Sequence, residues 1–134
     1  MACVQWNESY SLGIKEIDDQ HQKLAGIMNK LCDSIDRKSE KEDIAGILDE
    51  MADYAESHFS TEEEYFHKFH YVKTAEHEAE HQVFRDKVKA LKWDLREGEE
   101  SVSTDAISFL GEWFIDHTQD EDKKYVQCFH EHGL

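Results

Sequence analysis

Residues 44–66 read IAGILDEMADYAESHFSTEEEYF. Ile44, Ile47, Leu48, Met51, Ala55, Phe59 and Phe66 recur at the three- and four-residue spacings of one helical face. His58 and Glu62 fall on the same stripe, so a helix that buries its apolar face buries an imidazole and a carboxylate with it. Ser39 and Glu42 form a capping-box pattern where this helix should begin.

The same pattern returns on both sides of this stretch. Upstream, His21, Leu24, Ala25, Met28, Leu31, Cys32 and Ile35 mark a first helix over Asp18–Arg37, preceded by an arm from Met1 to Ile17. Downstream, residues 67–74 interrupt the periodicity, and a third helix then carries His77, His81, Phe84, Val88, Leu91 and Leu95, ending before Gly98. Ser101–Thr104 offer caps for a last helix with the stripe Ile107, Leu110, Phe114, His117, Tyr125 and Phe129. Short turns make neighbouring helices antiparallel. The expected fold is therefore all-α, an up-down-up-down four-helix bundle with an N-terminal arm, in one domain spanning 1–134.

Composition agrees. Proline is absent and glycine is limited to 6 of 134 residues, which removes the main helix breakers. The formal charge of -16 repels nucleic acid and anionic lipid. No stretch approaches the roughly 20 apolar residues of a membrane span, and the N-terminus lacks the basic start and apolar run of a signal peptide. A cytoplasmic, monomeric protein is expected. Cys3, Cys32 and Cys128 are an odd set without CxxC spacing, which argues against a disulfide framework or a zinc ribbon; Cys32 reads as a core residue.

Seven ionisable residues thus face inward: His21, His58, Glu62, His77, His81, His117 and Asp122. Left uncompensated, each costs several kcal/mol, against a whole-domain stability of about 5 to 15 kcal/mol. A cationic centre resolves the conflict. Residues at i and i+4 are separated by about 40° around a helix, so His58 with Glu62, and His77 with His81, can each address one site. His117 and Asp122 are five apart, roughly 140° on a regular helix, so either Asp122 reaches in from a flank or the helix is widened there as a π-bulge.

Five imidazoles exceed what one tetrahedral zinc needs, no thiolate joins them, and calcium or magnesium sites use oxygen alone. Two six-coordinate ions would keep about one position open beyond these ligands, two bridging carboxylates and a bridging hydroxide. An open imidazole–carboxylate site suits non-haem iron, and a vacancy beside two one-electron reductants suits dioxygen.

At these residues the chain resembles the hemerythrin family in its single-domain bacterial form. The resemblance rests on Trp6, Gly13–Ile14 and Ile17–His21, then His58–Glu63, then His77 and His81 as HxxxH, then Trp113, His117, Asp122 and Tyr125. It implies two non-haem irons joined by an oxo or hydroxo bridge, with Glu62 and Asp122 bridging. His77, His81 and His117 would hold one iron, and His21 and His58 the other, which keeps the vacancy. It further implies end-on dioxygen held there as a hydroperoxide and released without net chemistry, so the chain is expected not to be an enzyme. By position Leu24, Phe59, Trp113 and Phe114 should line an apolar oxygen pocket, which is equally plain core packing. Phe114 stands where leucine is usual, and Thr118 where an aliphatic residue is usual.

The remaining polar residues read as surface. His67, His70, His130 and His132 fall in a turn and a tail, while Glu63 and Glu64 are off the stripe and should be solvated. A ferritin-like di-iron oxidase or peroxidase is the competing reading, because Glu64 with His67 and Glu78 with His81 match Glu-x-x-His. Both glutamates lie off the buried stripes, however. A sensory module, nitric oxide binding and iron handling are further alternatives at the same site.

Overall fold

The computed structural model describes residues 4, 6–38, 41–96 and 104–134, without the side chains of 41 and 104–108. The expected caps at Ser39 and at 101–103, and the stripe position Ile107, lie outside that description. Four long helices form the body: α1 (Lys15–Asp36), α2 (Lys41–Lys68), α3 (Thr74–Arg96) and α4 (Thr104–Asp116), with a short α5 (Val126–Glu131) at the end. Consecutive helices pack on one another, and Leu110 and Phe114 of α4 share one apolar cluster with Leu24 and Leu31 of α1. That contact closes the four-helix bundle. No described helix is long and apolar enough to cross a membrane.

Helix α1 starts three residues earlier than the stripe suggested, because Asp18 serves the arm instead of opening the helix. Its carboxylate accepts from Ser11 Oγ at 2.6 Å and from Leu12 N at 2.8 Å, tying the arm to the first turn. Further out, the Asn29 amide bonds both backbone groups of Val4, at 2.8 Å and 2.6 Å. Cys32 lies in the apolar cluster as expected but is disulfide-bonded, whereas Cys128 is free. An odd cysteine count excludes a fully paired framework, not a single bridge.

The α2–α3 turn is closed by backbone geometry. Tyr71 N bonds Phe66 O at 2.9 Å and His70 N bonds His67 O, while His70 takes a left-handed φ of 54°. This is a Schellman-type termination, with the Phe66 and Tyr71 rings 5.1 Å apart as its apolar contact. It fixes where α3 begins, and therefore the height at which His77 meets Phe66 and His81 meets Phe59.

The largest departure from a regular bundle is in the last helix. After α4 the chain passes through a π turn over His117–Glu121 and a 3-10 turn over Asp122–Tyr125 before α5. Two apolar clusters lie on either side of the ionisable layer. One includes Leu31, Leu48, Met51 and Leu91; the other, near the arm, includes Ile17, Phe66, Tyr125 and Phe129.

Candidate metal centre

All seven expected residues are buried, and together they form two adjoining groups. His77, His81 and His117 gather with Glu62, while His21 and His58 gather with Glu62 and Asp122, each set placing one atom per residue within 4.8 Å of the others. Regular α-helix suffices for the pairs on α2 and α3. Asp122 needs the π turn. Its N–H bonds His117 O, an i to i+5 closure that takes up the extra residue and turns both side chains inward.

Asp122 faces both groups. Its Oδ2 lies 2.9 Å from His21 Nε2, while Oδ1 lies 2.9 Å from His77 Nε2 and 3.1 Å from His117 Nε2. Glu62 Oε1 lies 3.1 Å from His58 Nε2 and 3.2 Å from His81 Nε2. These approaches carry charge attraction but not hydrogen-bond alignment. Both oxygens of Glu62 and Asp122, and Nε2 of His21, His77, His81 and His117, have no hydrogen-bond partner. So many orphaned polar atoms converging in one buried layer are costly unless a cation binds them. The donor set of imidazole and carboxylate fits a pair of non-haem irons.

The charges respond to one another. Burial alone would raise the Asp122 carboxyl, but His117, His21 and His77 outweigh it and hold it well below the usual carboxylate range. Glu62 is lowered likewise, with His58 and His81 overcoming burial and the Asp122 charge. Burial lowers His21, yet Asp122 leaves it raised on balance. For His81 burial is again overcome, by Glu62 and Glu63, and its pKa stands at about 9. His58 goes the other way, because burial exceeds the pull of Glu62.

Outer contacts orient the rings. His58 Nδ1 donates to Gln20 Oε1 at 2.6 Å, and Gln20 reaches Thr61 Oγ1 at 3.4 Å. His81 Nδ1 donates to Glu63 Oε2 at 2.7 Å. Arg85 lies 3.4 Å from Glu63 and donates from Nε to Glu56 at 2.7 Å. Each donation directs the ring's Nε2 toward the centre.

Glu63 therefore corrects the sequence reading, which left it solvated: its side chain is only 20% exposed and grips His81. It lies beside the stripe rather than on it, where a glutamate can flank a neighbouring helix's histidine. Gln20 was missed for a related reason, since an amide next to His21 has no periodic signature. Glu64 is exposed as expected. Glu78 bonds the exposed His67 at 2.8 Å, away from the centre, so the Glu-x-x-His pairs do not converge there. His70, His130 and His132 are also exposed.

Around the imidazoles lie the aromatic residues singled out from sequence. Phe59 stacks on His81 with centroids 4.0 Å apart, Trp113 stacks on His117 at 4.4 Å, and Phe114 meets His21 edge-on at 5.9 Å. Leu24 and Thr118 are both 1% exposed, and Leu24 joins Phe59 and Phe114 in one cluster. Tyr125 is fully buried, and burial pushes its hydroxyl well above the usual phenol range.

Comparison with known proteins agrees with this geometry. The family model of the hemerythrin HHE cation binding domain matches residues 12–129. A bacteriohemerythrin of Methylococcus capsulatus is 30% identical over 129 residues, covering 96% of this chain and 98% of the relative. One from Clostridium acetobutylicum is 30% identical over 125 residues, covering 90% and 97%. A crystal structure of wild-type hemerythrin superposes with a TM-score of 0.86 at 29% identity, covering 93% of this chain and 96% of that one. The chain belongs to the hemerythrin HHE cation-binding family.

Proposed function

We propose that the chain binds dioxygen reversibly at a di-iron centre, for storage, delivery or sensing. His77, His81 and His117 would hold one ion and His21 and His58 the other, with Glu62 and Asp122 shared between them. The observation that carries this reading is Asp122, whose two oxygens face different imidazole groups, as a bridging carboxylate requires. When bound, a ferrous pair would supply the two electrons that dioxygen binding requires.

The protein's part is to keep that exchange dry. Phe59, Trp113 and Phe114 pack on the imidazoles, and Leu24 shares the apolar cluster of Phe59 and Phe114; this apolar surface slows entry of the water and protons that convert oxygen binding into irreversible oxidation. No general acid or base beyond the proposed ligands is needed, so the reading is a carrier rather than an enzyme. Support against an oxidase of the ferritin type comes from Glu64, which is exposed, and Glu78, which is paired with surface His67.

The test is to load the metal-depleted protein anaerobically with ferrous iron, admit air, then deoxygenate, following visible absorption. A charge-transfer band that appears and reverses supports the carrier. Irreversible conversion to a ferric spectrum favours an oxidase. Thr118 is a polar residue buried within the π turn, next to His117. One neutral hydrogen bond to a bound ligand gives about 0.5 to 1.5 kcal/mol, but eased water entry makes loss permanent. Thr118→Ile should therefore slow autoxidation at unchanged iron content; an equal or faster rate refutes that role.

A further inference from the structure

A cleft of about 340 Å³ opens between α3, α4 and the π turn. Its lining carries five carboxylates, Glu80, Glu112, Asp116, Asp120 and Glu121, together with Phe109, Trp113 and His117. Two larger or similar grooves, along α2 and α3, touch none of the seven centre residues. This one ends on an imidazole of the proposed centre.

The acidic wall is not the only sign of a ligand. The His117 side chain is 4% exposed, and its Nδ1 has no hydrogen-bond partner. Nε2 of that ring faces Asp122 and the same residue lines the cleft, so one buried imidazole links the centre to the cleft. Trp113 Nε1 is likewise buried without a partner. The π turn accounts for the arrangement, since the register that sends Asp122 inward leaves Asp120 and Glu121 on the cleft wall.

Among the described residues, two lysines flank the cleft, and both are engaged by its lining. Lys124 is held by Glu121 at 2.8 Å, and Lys87 sits over the Phe109 ring at 5.1 Å. Clefts lined by one sign of charge focus the field and raise the local concentration of counter-ions. A doubly charged ion feels this twice as strongly as a singly charged one.

We propose that the cleft is the loading port of the centre, capturing a hydrated divalent cation at the carboxylates and passing it inward beside His117. This rests on the reading of the seven-residue cluster as a metal centre. Capture and transfer exchange water for protein ligands and involve no electron transfer. The port adds a kinetic function to acidic residues that take no part in the proposed final coordination.

The test uses metal-depleted full-length protein and cobalt(II), whose visible absorption reports imidazole–carboxylate coordination, mixed by stopped flow at low and high ionic strength. The variant E112Q/D116N/D120N removes three wall charges. The control D43N/D53N/E64Q removes three exposed charges elsewhere, so the net charge changes equally. The port predicts at least about tenfold slower loading in the wall variant at low salt, a difference that collapses at high salt, and an unchanged endpoint. The control should load within about twofold of the parent, because its charges lie outside the focusing cleft. Equal slowing in both variants, or none in the wall variant, overturns the port while leaving the metal reading intact. A parent protein that takes up neither cobalt(II) nor ferrous iron overturns both.

Discussion

The two imidazole groups are anchored differently. On the three-histidine side, His81 is backed by a carboxylate, Glu63, which is itself held by Arg85 and through it Glu56. On the two-histidine side, His58 is backed by the neutral Gln20 amide; one ring on each side, His21 and His117, has an unpartnered Nδ1. A carboxylate behind an imidazole makes it a stronger donor than an amide does. Under the proposed di-iron reading, the first group would hold its ion more tightly than the second.

The carboxylates common to both groups give the largest expected effect. Asp122→Asn should lose iron from both sides, leaving less than about half of the parent content by metal analysis, because one residue faces three of the five imidazoles. By contrast, His77→Ala should empty the three-histidine side preferentially and His21→Ala the other. Equal iron loss from all three variants would remove the distinction between bridging and terminal residues.

A smaller effect should separate the anchors. Glu63→Gln is expected to weaken metal retention by about 10- to 100-fold in a chelator competition, while Gln20→Ala falls at or below the lower end of that range. If Gln20→Ala is the more damaging, the contrast between a charged and a neutral anchor fails.

Acidity sharpens the same contrast. In metal-free protein the His81 pKa is raised to about 9, above its ordinary 6.5. Its stabilising contribution is therefore complete below the unfolded value and is lost as pH rises through about 9. His58, lowered by burial, contributes no such alkaline loss. The melting temperature of metal-free protein should fall across this window and that of loaded protein much less, since the metal has replaced the His81 proton. Glu62 and Asp122 have the opposite sign: both are lowered, so their contribution is present above the ordinary carboxylate range and disappears in acid. Parallel melting curves for loaded and metal-free protein would contradict this assignment. The smallest effect belongs to Glu64→Ala and Glu78→Ala, which should leave iron content unchanged; loss of iron there would restore the ferritin-type alternative.

Much of this was legible in the sequence because it is periodic. The stripes of α1, α2 and α3 carry five of the seven central residues at spacings that burial must respect. The His117–Asp122 interval announced a break in regular helix without saying how it would be resolved, and the π turn resolved it. Glu63 and Gln20 were not legible, because a side chain that flanks its own helix's stripe finds its partner only once another helix is docked. The disulfide at Cys32 likewise carries no helical period.

Two adjoining ion sites sharing Glu62 and Asp122 should be visible in an anaerobic titration of metal-depleted protein with ferrous iron, read as bound metal per chain. Saturation is expected at about two ions, with Asp122→Asn binding fewer than half as many. Saturation at one ion per chain, or unchanged stoichiometry in Asp122→Asn, would contradict this arrangement.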